Sequence, residues 1–191
     1  MKTLKVAIGL IAVVGLALQG CADGPASSVA PADQPVHGVA PLGKAVLTNF
    51  TFQHQPTNII DLGVVKLVGG NWVMKEIGVE EVVVSDDPLV AGTMIHYLSG
   101  TMDAVTGEGP VHGKLTLTPA ADVGGGVWEG TYKGYRSKAD GIYFRLPLKV
   151  VLHGRGGTID GMQVFEESLI TAWGTPPEGW YGVGSGFYKS H

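Results

Sequence analysis

The stretch YFRLPLKVVLH, residues 143–153, alternates apolar and polar side chains along its length. Successive side chains of an extended strand point to opposite faces, so this alternation predicts a strand with one face in a core and the other in water. The predicted core face carries Phe144, Leu146, Leu148, Val150 and Leu152, and the predicted water face carries Arg145, Lys149 and His153.

Similar short runs recur on both sides of this stretch, separated by Gly, Pro, Asp and Asn clusters, and no long helical pattern interrupts them. This organisation is typical of an all-β sandwich or barrel. Because closure removes exposed sheet edges, we predict a single antiparallel barrel of eight or nine strands in residues 44–191. The predicted strands lie near residues 45–54, 62–68, 71–84, 92–102, 111–118, 126–136, 142–153, 162–173 and 180–189.

Two predicted strands alternate aromatic residues with glycines, in GGGVWEGTYKGYR (residues 124–136) and WYGVGSGFYK (residues 180–189). A large ring on the inner face of a tight barrel needs a missing side chain beside it, and glycine supplies that space. Such a lumen is either filled by the rings or open to a small apolar ligand. The candidate ligand-binding residues are His54, Trp128, Tyr132 and Trp180.

The first 43 residues predict export and anchoring rather than a folded domain. Lys2 and Lys5 precede an apolar run that is short for a membrane span, and the run ends in LQGC at Cys21. This sequence resembles a bacterial lipobox, which implies a signal peptide over residues 1–20 and a lipid on Cys21. The Pro/Ala/Ser/Gly-rich residues 21–43 then form a flexible tether, and we expect a membrane partner and a place in the cell envelope, at the outer membrane or the periplasmic face.

Composition excludes several classes of function. Removing residues 1–20 takes away Lys2 and Lys5, so the formal charge changes from −4 to −6, and no cluster of Lys or Arg remains to neutralise the phosphates of a nucleic acid. Cys21 is the single cysteine, so a lipidated chain has no thiol for a disulfide or for catalysis. The histidines form no H-x-H or H-x-x-x-H pair, and we predict neither a metal site nor a cofactor.

Two local motifs only partly match the nucleotide-binding and serine-hydrolase patterns that they suggest. Gly154, Gly156 and Gly157 follow a predicted strand, but a dinucleotide site also needs a correctly placed third glycine and a helix that receives the phosphate. The sequence that follows alternates instead, so we predict a hairpin turn and no nucleotide. Ser185 lies between two glycines, but its surroundings do not match the G-x-S-x-G elbow of serine hydrolases.

One group of polar residues is predicted to lie inside the barrel. His96 shares a strand face with Met94 and Leu98, and the adjacent Glu166 and Glu167 must point to opposite faces. One glutamate should therefore face the lumen, where it needs a partner. His96 and His54 are possible partners, and Arg145 is a third if the strand faces exchange at a bulge.

The chain also resembles a known group of proteins. The segments VSDDPLVAGTM, GEGPVHGKLTLTP, GGGVWEGTYKG and HGRGGTIDGMQ resemble, in this order, turn and glycine motifs of secreted bacterial β proteins of unassigned activity. The strand pattern is similar to allene-oxide-cyclase-like and dirigent barrels, which implies an eight-stranded calycin-type fold. Asp87 is an extra residue against that pattern and Ala91 replaces a serine, so the resemblance assigns no catalytic residue.

Three functional hypotheses follow. The first is a lipid-anchored envelope barrel that binds a small apolar ligand or has a structural role. The second is an isomerase or cyclase that uses Glu166 or Glu167 with His96, because a carboxylate and an imidazole in an apolar lumen can transfer protons. It requires that a carboxylate and His96 line one cavity. The third is a surface interaction module with an aromatic patch at WGTPPEGWY, residues 173–181.

Overall fold

A computed structural model describes residues 45–139, 143–172 and 179–190 of the chain. The described residues form nine antiparallel strands, joined in three places by a single-turn 3₁₀ helix. No helix among them is long and apolar enough to cross a membrane. The strands are β1 (Val46–Asp61), β2 (Val64–Val68), β3 (Asn71–Ser85), β4 (Gly92–Asp103), β5 (Gly109–Pro119), β6 (Val127–Ala139), β7 (Tyr143–Arg155), β8 (Gln163–Ala172) and β9 (Trp180–Ser190).

Eight of these strands close into a barrel, which confirms the predicted fold class. Strands β3 to β9 pair in chain order, β9 pairs with β1, and β1 closes the ring by pairing with the second half of β3. β2 pairs with the first five residues of β3 and forms a hairpin outside the ring. β3 exchanges partners at a bulge between Met74 and Ile77, where Glu76 has a left-handed φ of 53°.

Alternate side chains of β7 point to the inner and outer faces of the barrel wall, as the sequence predicts. Its even-numbered residues from Phe144 to Leu152 are buried, and the odd-numbered residues from Arg145 to Lys149 are exposed. β1 extends beyond the predicted end at residue 54, because two register shifts between Pro56 and Asp61 interrupt the alternation there without ending the pairing.

The glycines of β9 make room for rings on β1. A Cβ atom on Gly182 would lie 2.0 Å from His54 Nε2, and one on Gly184 would lie 2.4 Å from Phe52 Cζ. Neither approach is sterically possible, so these two positions require glycine for the rings to stay where they are. The inner aromatic side chains are thus packed over the backbone of the neighbouring strand, and they fill most of the lumen.

One end of the barrel is closed by the 3₁₀ helix Pro88–Val90. Asp87 caps this helix by accepting a hydrogen bond from Leu89 N at 2.9 Å, and its other carboxylate oxygen accepts one from the Tyr188 hydroxyl at 3.0 Å. Trp128 Nε1 donates to Leu89 O at 2.6 Å. The extra aspartate of this turn therefore fastens the end cap to β9.

Candidate functional site

A cavity of about 40 Å³ lies inside the barrel. This volume holds about two or three water molecules. Apolar side chains such as Phe52, Met94 and Leu117 form most of its wall. Six lining residues have polar side chains, and they come from five different strands: His54, Glu81, His96, Tyr132, Glu166 and Ser168.

Five of these six polar side chains form one continuous chain of hydrogen bonds centred on Glu81. One carboxylate oxygen of Glu81 contacts His54 Nδ1, and the other lies 3.2 Å from His96 Nε2. On the far side of each ring, His54 Nε2 lies 2.9 Å from Ser168 Oγ, and His96 Nδ1 lies 2.9 Å from the Tyr132 hydroxyl. The order of the chain is therefore Ser168, His54, Glu81, His96, Tyr132.

The chemistry of Glu81 determines the direction of most of these bonds. An ionised carboxylate accepts hydrogen bonds and cannot donate them, so His54 Nδ1–H and His96 Nε2–H both donate to Glu81. A neutral His96 then accepts from the Tyr132 hydroxyl through Nδ1. A neutral His54 accepts from the Ser168 hydroxyl through Nε2, whereas a protonated His54 donates to it.

Opposing effects set the pKa values of this chain. Burial raises the pKa of Glu81, but the charge and hydrogen bond of His54, together with those of His96, outweigh burial and hold that pKa well below its usual range. Burial lowers the pKa of His54, but the combined effect of Glu81 and the charge of Glu166 in raising this pKa is larger, so the net shift is upward. Burial, followed by the charge of Glu81, raises the pKa of Tyr132. The chain therefore holds an ionised carboxylate between two imidazoles.

Glu166 is the second carboxylate at the cavity. Its half-buried side chain lies beside Gly186, where a Cβ atom would be 3.1 Å from Glu166 Cγ. Burial raises the pKa of Glu166 to about 7, although the charge of His54 acts in the opposite direction. A carboxyl group with this pKa exchanges its proton readily near neutral pH, which suits a general base or acid.

The strand-parity prediction for the two adjacent glutamates is confirmed, because Glu166 faces the lumen and Glu167 faces outward. Glu167 is exposed and forms an ion pair with Lys149 at 2.5 Å, so the structure does not bring it to the cavity. His96 is buried on its predicted face and lines the same cavity as Glu166. Arg145 is exposed on the outer face and does not partner the inner carboxylates.

The four candidate ligand-binding residues separate into two pairs. His54 and Tyr132 line the cavity and belong to the hydrogen-bond chain. Trp128 is fully buried at the capped end, and Trp180 packs edge-on against Phe144, with ring centroids 5.3 Å apart. Neither tryptophan lines the cavity, so both are core residues of the described barrel.

Sequence reasoning missed Glu81 and Ser168, which connect the histidines to each other and to β8. A signal for Glu81 was present, because Glu80 and Glu81 are adjacent in a strand, as Glu166 and Glu167 are. The parity argument therefore places one member of that pair inside the barrel too. Ser168 has the same parity as Glu166, but its partner His54 is 114 residues away in the sequence.

Several predictions concern residues outside the described part of the chain. These are the signal peptide over residues 1–20, the lipid on Cys21, the tether over residues 21–43, and residues 173–178 of the proposed aromatic patch. Of that patch, Trp180 is buried and Tyr181 is exposed. Among the residues described, no group of three or more His, Cys, Asp or Glu side chains is arranged to hold a metal ion.

The cavity thus combines an ionised glutamate between two histidines, a second carboxyl group with a raised pKa, and two hydroxyl groups in an otherwise apolar wall. Comparison with known proteins adds no precedent for this arrangement, since no family model, curated protein or solved structure matches the chain.

Proposed function

We propose that this barrel catalyses proton transfer on a small, largely apolar carbonyl compound, as an isomerase or cyclase does. The observation that carries the proposal is that Glu166, Glu81 and His96 line one cavity. Glu166 is the residue that removes a proton from carbon. Its partial burial keeps its pKa near 7, where a general base is effective at neutral pH.

The histidine–glutamate chain has a supporting role in this reaction. Removing a proton from the carbon next to a carbonyl group leaves negative charge on the carbonyl oxygen, and a cationic or hydrogen-bonding group beside that oxygen stabilises it. His54 supplies such a group when it is protonated, a form that Glu81 favours by raising the pKa of His54, and the charge of His54 acts on Glu166. Returning the proton to a different carbon isomerises the substrate.

A substrate larger than water requires movement of the cavity wall. Met94 is half-buried and lines the cavity, and its unbranched side chain can adjust with little strain. The apolar lining around it favours a hydrophobic substrate. The resemblance to allene-oxide-cyclase-like barrels supports the same class of reaction, as part of this proposal.

The test uses 2-butanone in D₂O and follows exchange of its hydrogens next to the carbonyl by NMR. We expect catalysed exchange to increase as the pH rises through about 7, because Glu166 becomes ionised. Glu166→Gln should lower the rate roughly 10²- to 10⁴-fold. Glu167→Gln is the matched control, since this neighbouring carboxylate is on the outer surface. Exchange no faster than in buffer, or equal exchange in Glu166→Gln and wild type, contradicts the proposal.

The second candidate is binding of an apolar ligand without catalysis, and the mostly apolar wall of the cavity favours it. Under this alternative the hydrogen-bond chain serves only to satisfy buried polar groups. Mass spectrometry of protein extracted from its native host distinguishes the two candidates. A co-purifying apolar molecule, together with no butanone exchange, supports binding alone.

We further propose that the barrel is held at the bacterial cell envelope by a lipid on Cys21, with residues 21–43 as the tether. More than one acyl chain gives stable anchoring, so the barrel needs no membrane-binding surface of its own. Labelled palmitate should be incorporated into the wild-type chain and not into Cys21→Ser. Equal labelling of both proteins contradicts this assignment.

A further inference from the structure

The residues Ser168, His54 and Glu81 are connected in the order that activates a serine nucleophile. Ser168 Oγ lies 2.9 Å from His54 Nε2, within the range for a nucleophile and its base. His54 Nδ1 contacts a carboxylate oxygen of Glu81, which orients the ring. The two bonds use different nitrogens of one imidazole, as transfer of the serine proton requires.

Further contacts hold Glu81 and His54 in place, which distinguishes this arrangement from a chance contact between a serine and a histidine. Glu81 is only 1% exposed, and its second oxygen is held by His96, which in turn contacts Tyr132. Gly182 leaves the space that the ring of His54 occupies. The base and its orienting carboxylate are therefore fixed from several strands, and Ser168 lines the cavity beside them.

We propose that Ser168 is a nucleophile that accepts the acyl group of a small ester with a short apolar chain, with His54 as general base and Glu81 as the orienting carboxylate. The apolar wall of the cavity selects the acyl chain. This activity goes beyond the proton transfer assigned to Glu166, because it forms a covalent bond to the protein.

The reaction consumes only the ester and water, and it regenerates Ser168 and His54. Ser168 Oγ forms a bond to the ester carbonyl carbon while its proton passes to His54 Nε2. The carbon–oxygen bond of the ester then breaks, and the alcohol leaves with the proton from His54. Water attacks the acyl-Ser168 bond by the same route, gives up a proton to His54, and releases the acid as Ser168 regains its proton.

Diisopropyl fluorophosphate tests the nucleophile directly in the full chain. Ser168 Oγ would bond to phosphorus, fluoride would leave, and the serine proton would pass to His54. We expect mass spectrometry to find one diisopropylphosphoryl group, located on Ser168 by peptide fragmentation. Ser168→Ala should remain unlabelled. Ser185→Ala is the matched control and should be labelled like the wild type, because Ser185 is on the outer face of β9 opposite Glu167.

The pH dependence separates an activated serine from a merely accessible one. The titratable groups that face His54 or share its cavity are Glu81 from β3, Glu166 from β8, His96 from β4 and Tyr132 from β6. Labelling should accelerate as the pH rises and His54 loses its proton. Glu81→Gln should slow it roughly 10²- to 10⁴-fold.

The proposal is overturned by an absence of labelling, by labelling at Ser185 or a tyrosine instead, or by a rate that does not rise with pH in the wild-type protein. The pH series requires no variant, so it decides the matter even if Glu81→Gln does not fold. Failure of the butanone exchange is separate, because the covalent adduct is measured by mass and not by exchange at carbon.

Discussion

Glu81 and Glu166 are two carboxyl groups that reach the same cavity, and the barrel gives them opposite acid–base properties. Glu81 is the more deeply buried, yet two histidines donate to it and hold its pKa below the usual range. For Glu166, burial outweighs the attraction of His54 and raises the pKa to about 7. Hydrogen-bonded partners, rather than depth of burial, therefore decide which carboxyl group of this lumen is charged.

The largest expected effect comes from removing the carboxylate that has partners. Glu81→Ala leaves His54 and His96 buried without their acceptor, and breaking a buried pair in this way costs about 3–5 kcal/mol of the free energy of unfolding. Urea unfolding at pH 7 measures the change. Glu80→Ala is the control on the opposite strand face and should shift stability by less than about 0.5 kcal/mol. Equal losses in both variants would show that the buried network contributes nothing specific.

The next effect comes from the carboxyl group whose pKa is raised. Folded Glu166 has a pKa of about 7, above the ordinary 4.5, so the folded state binds more protons between these two pH values. Its contribution to stability is therefore complete below pH 4.5 and is lost as the pH rises to about 7.

Glu166→Gln should abolish this loss because glutamine does not ionise. At pH 8 the variant should exceed the wild type in free energy of unfolding by up to roughly 3 kcal/mol, whereas at pH 4 the two proteins should be nearly equal. Urea unfolding across this pH range measures the difference. A difference that is the same at both pH values would place the pKa of Glu166 near its ordinary range.

The sequence predicts which side chains face the lumen, but it does not predict which of them pair with one another. Strand parity correctly places Phe144 and His96 inside, together with one of the adjacent Glu166 and Glu167, because side-chain direction follows from local alternation alone. The pairing of one inner side chain with another depends on barrel register, which is not local. His96 and Tyr132 are 36 residues apart in the sequence, and His54 and Ser168 are 114 apart.

Register also explains why the sequence alone does not separate Trp128 and Trp180 from Tyr132 among the candidate ligand-binding residues. Both are inward-facing aromatic residues, as is Tyr132, and alternation cannot distinguish them. The residues differ only in their position along the barrel axis. The two tryptophans fill the ends of the barrel, whereas the tyrosine reaches the cavity. The stagger of the strands in the closed sheet sets this position.

A smaller change should move the pKa of Glu81 upward, toward the behaviour of Glu166, without substituting either carboxyl group. A Cβ atom added at Gly182 would lie 2.0 Å from His54 Nε2, so Gly182→Ala should displace the ring and weaken its bond to Glu81. We expect a loss of about 1–3 kcal/mol and an upward shift of the Glu81 pKa, measured by NMR on ¹³C-labelled glutamate. Val183→Ala, at the exposed next position, should leave that pKa unchanged. An unshifted Glu81 in Gly182→Ala would mean that His96 alone holds it ionised.

The smallest effect is expected at the outer carboxylate. Glu167 forms an ion pair with Lys149 at 2.5 Å, but both side chains are more than half exposed, so water and salt screen their attraction. A double-mutant cycle with Glu167→Gln and Lys149→Gln should give a coupling of about 0–1 kcal/mol that decreases in high salt. The same cycle with Glu81→Gln and His54→Gln should give a larger coupling that salt barely changes, because that pair is buried. Similar couplings in the two cycles would remove the distinction between the lumen and the outer wall on which the assignment of the site depends.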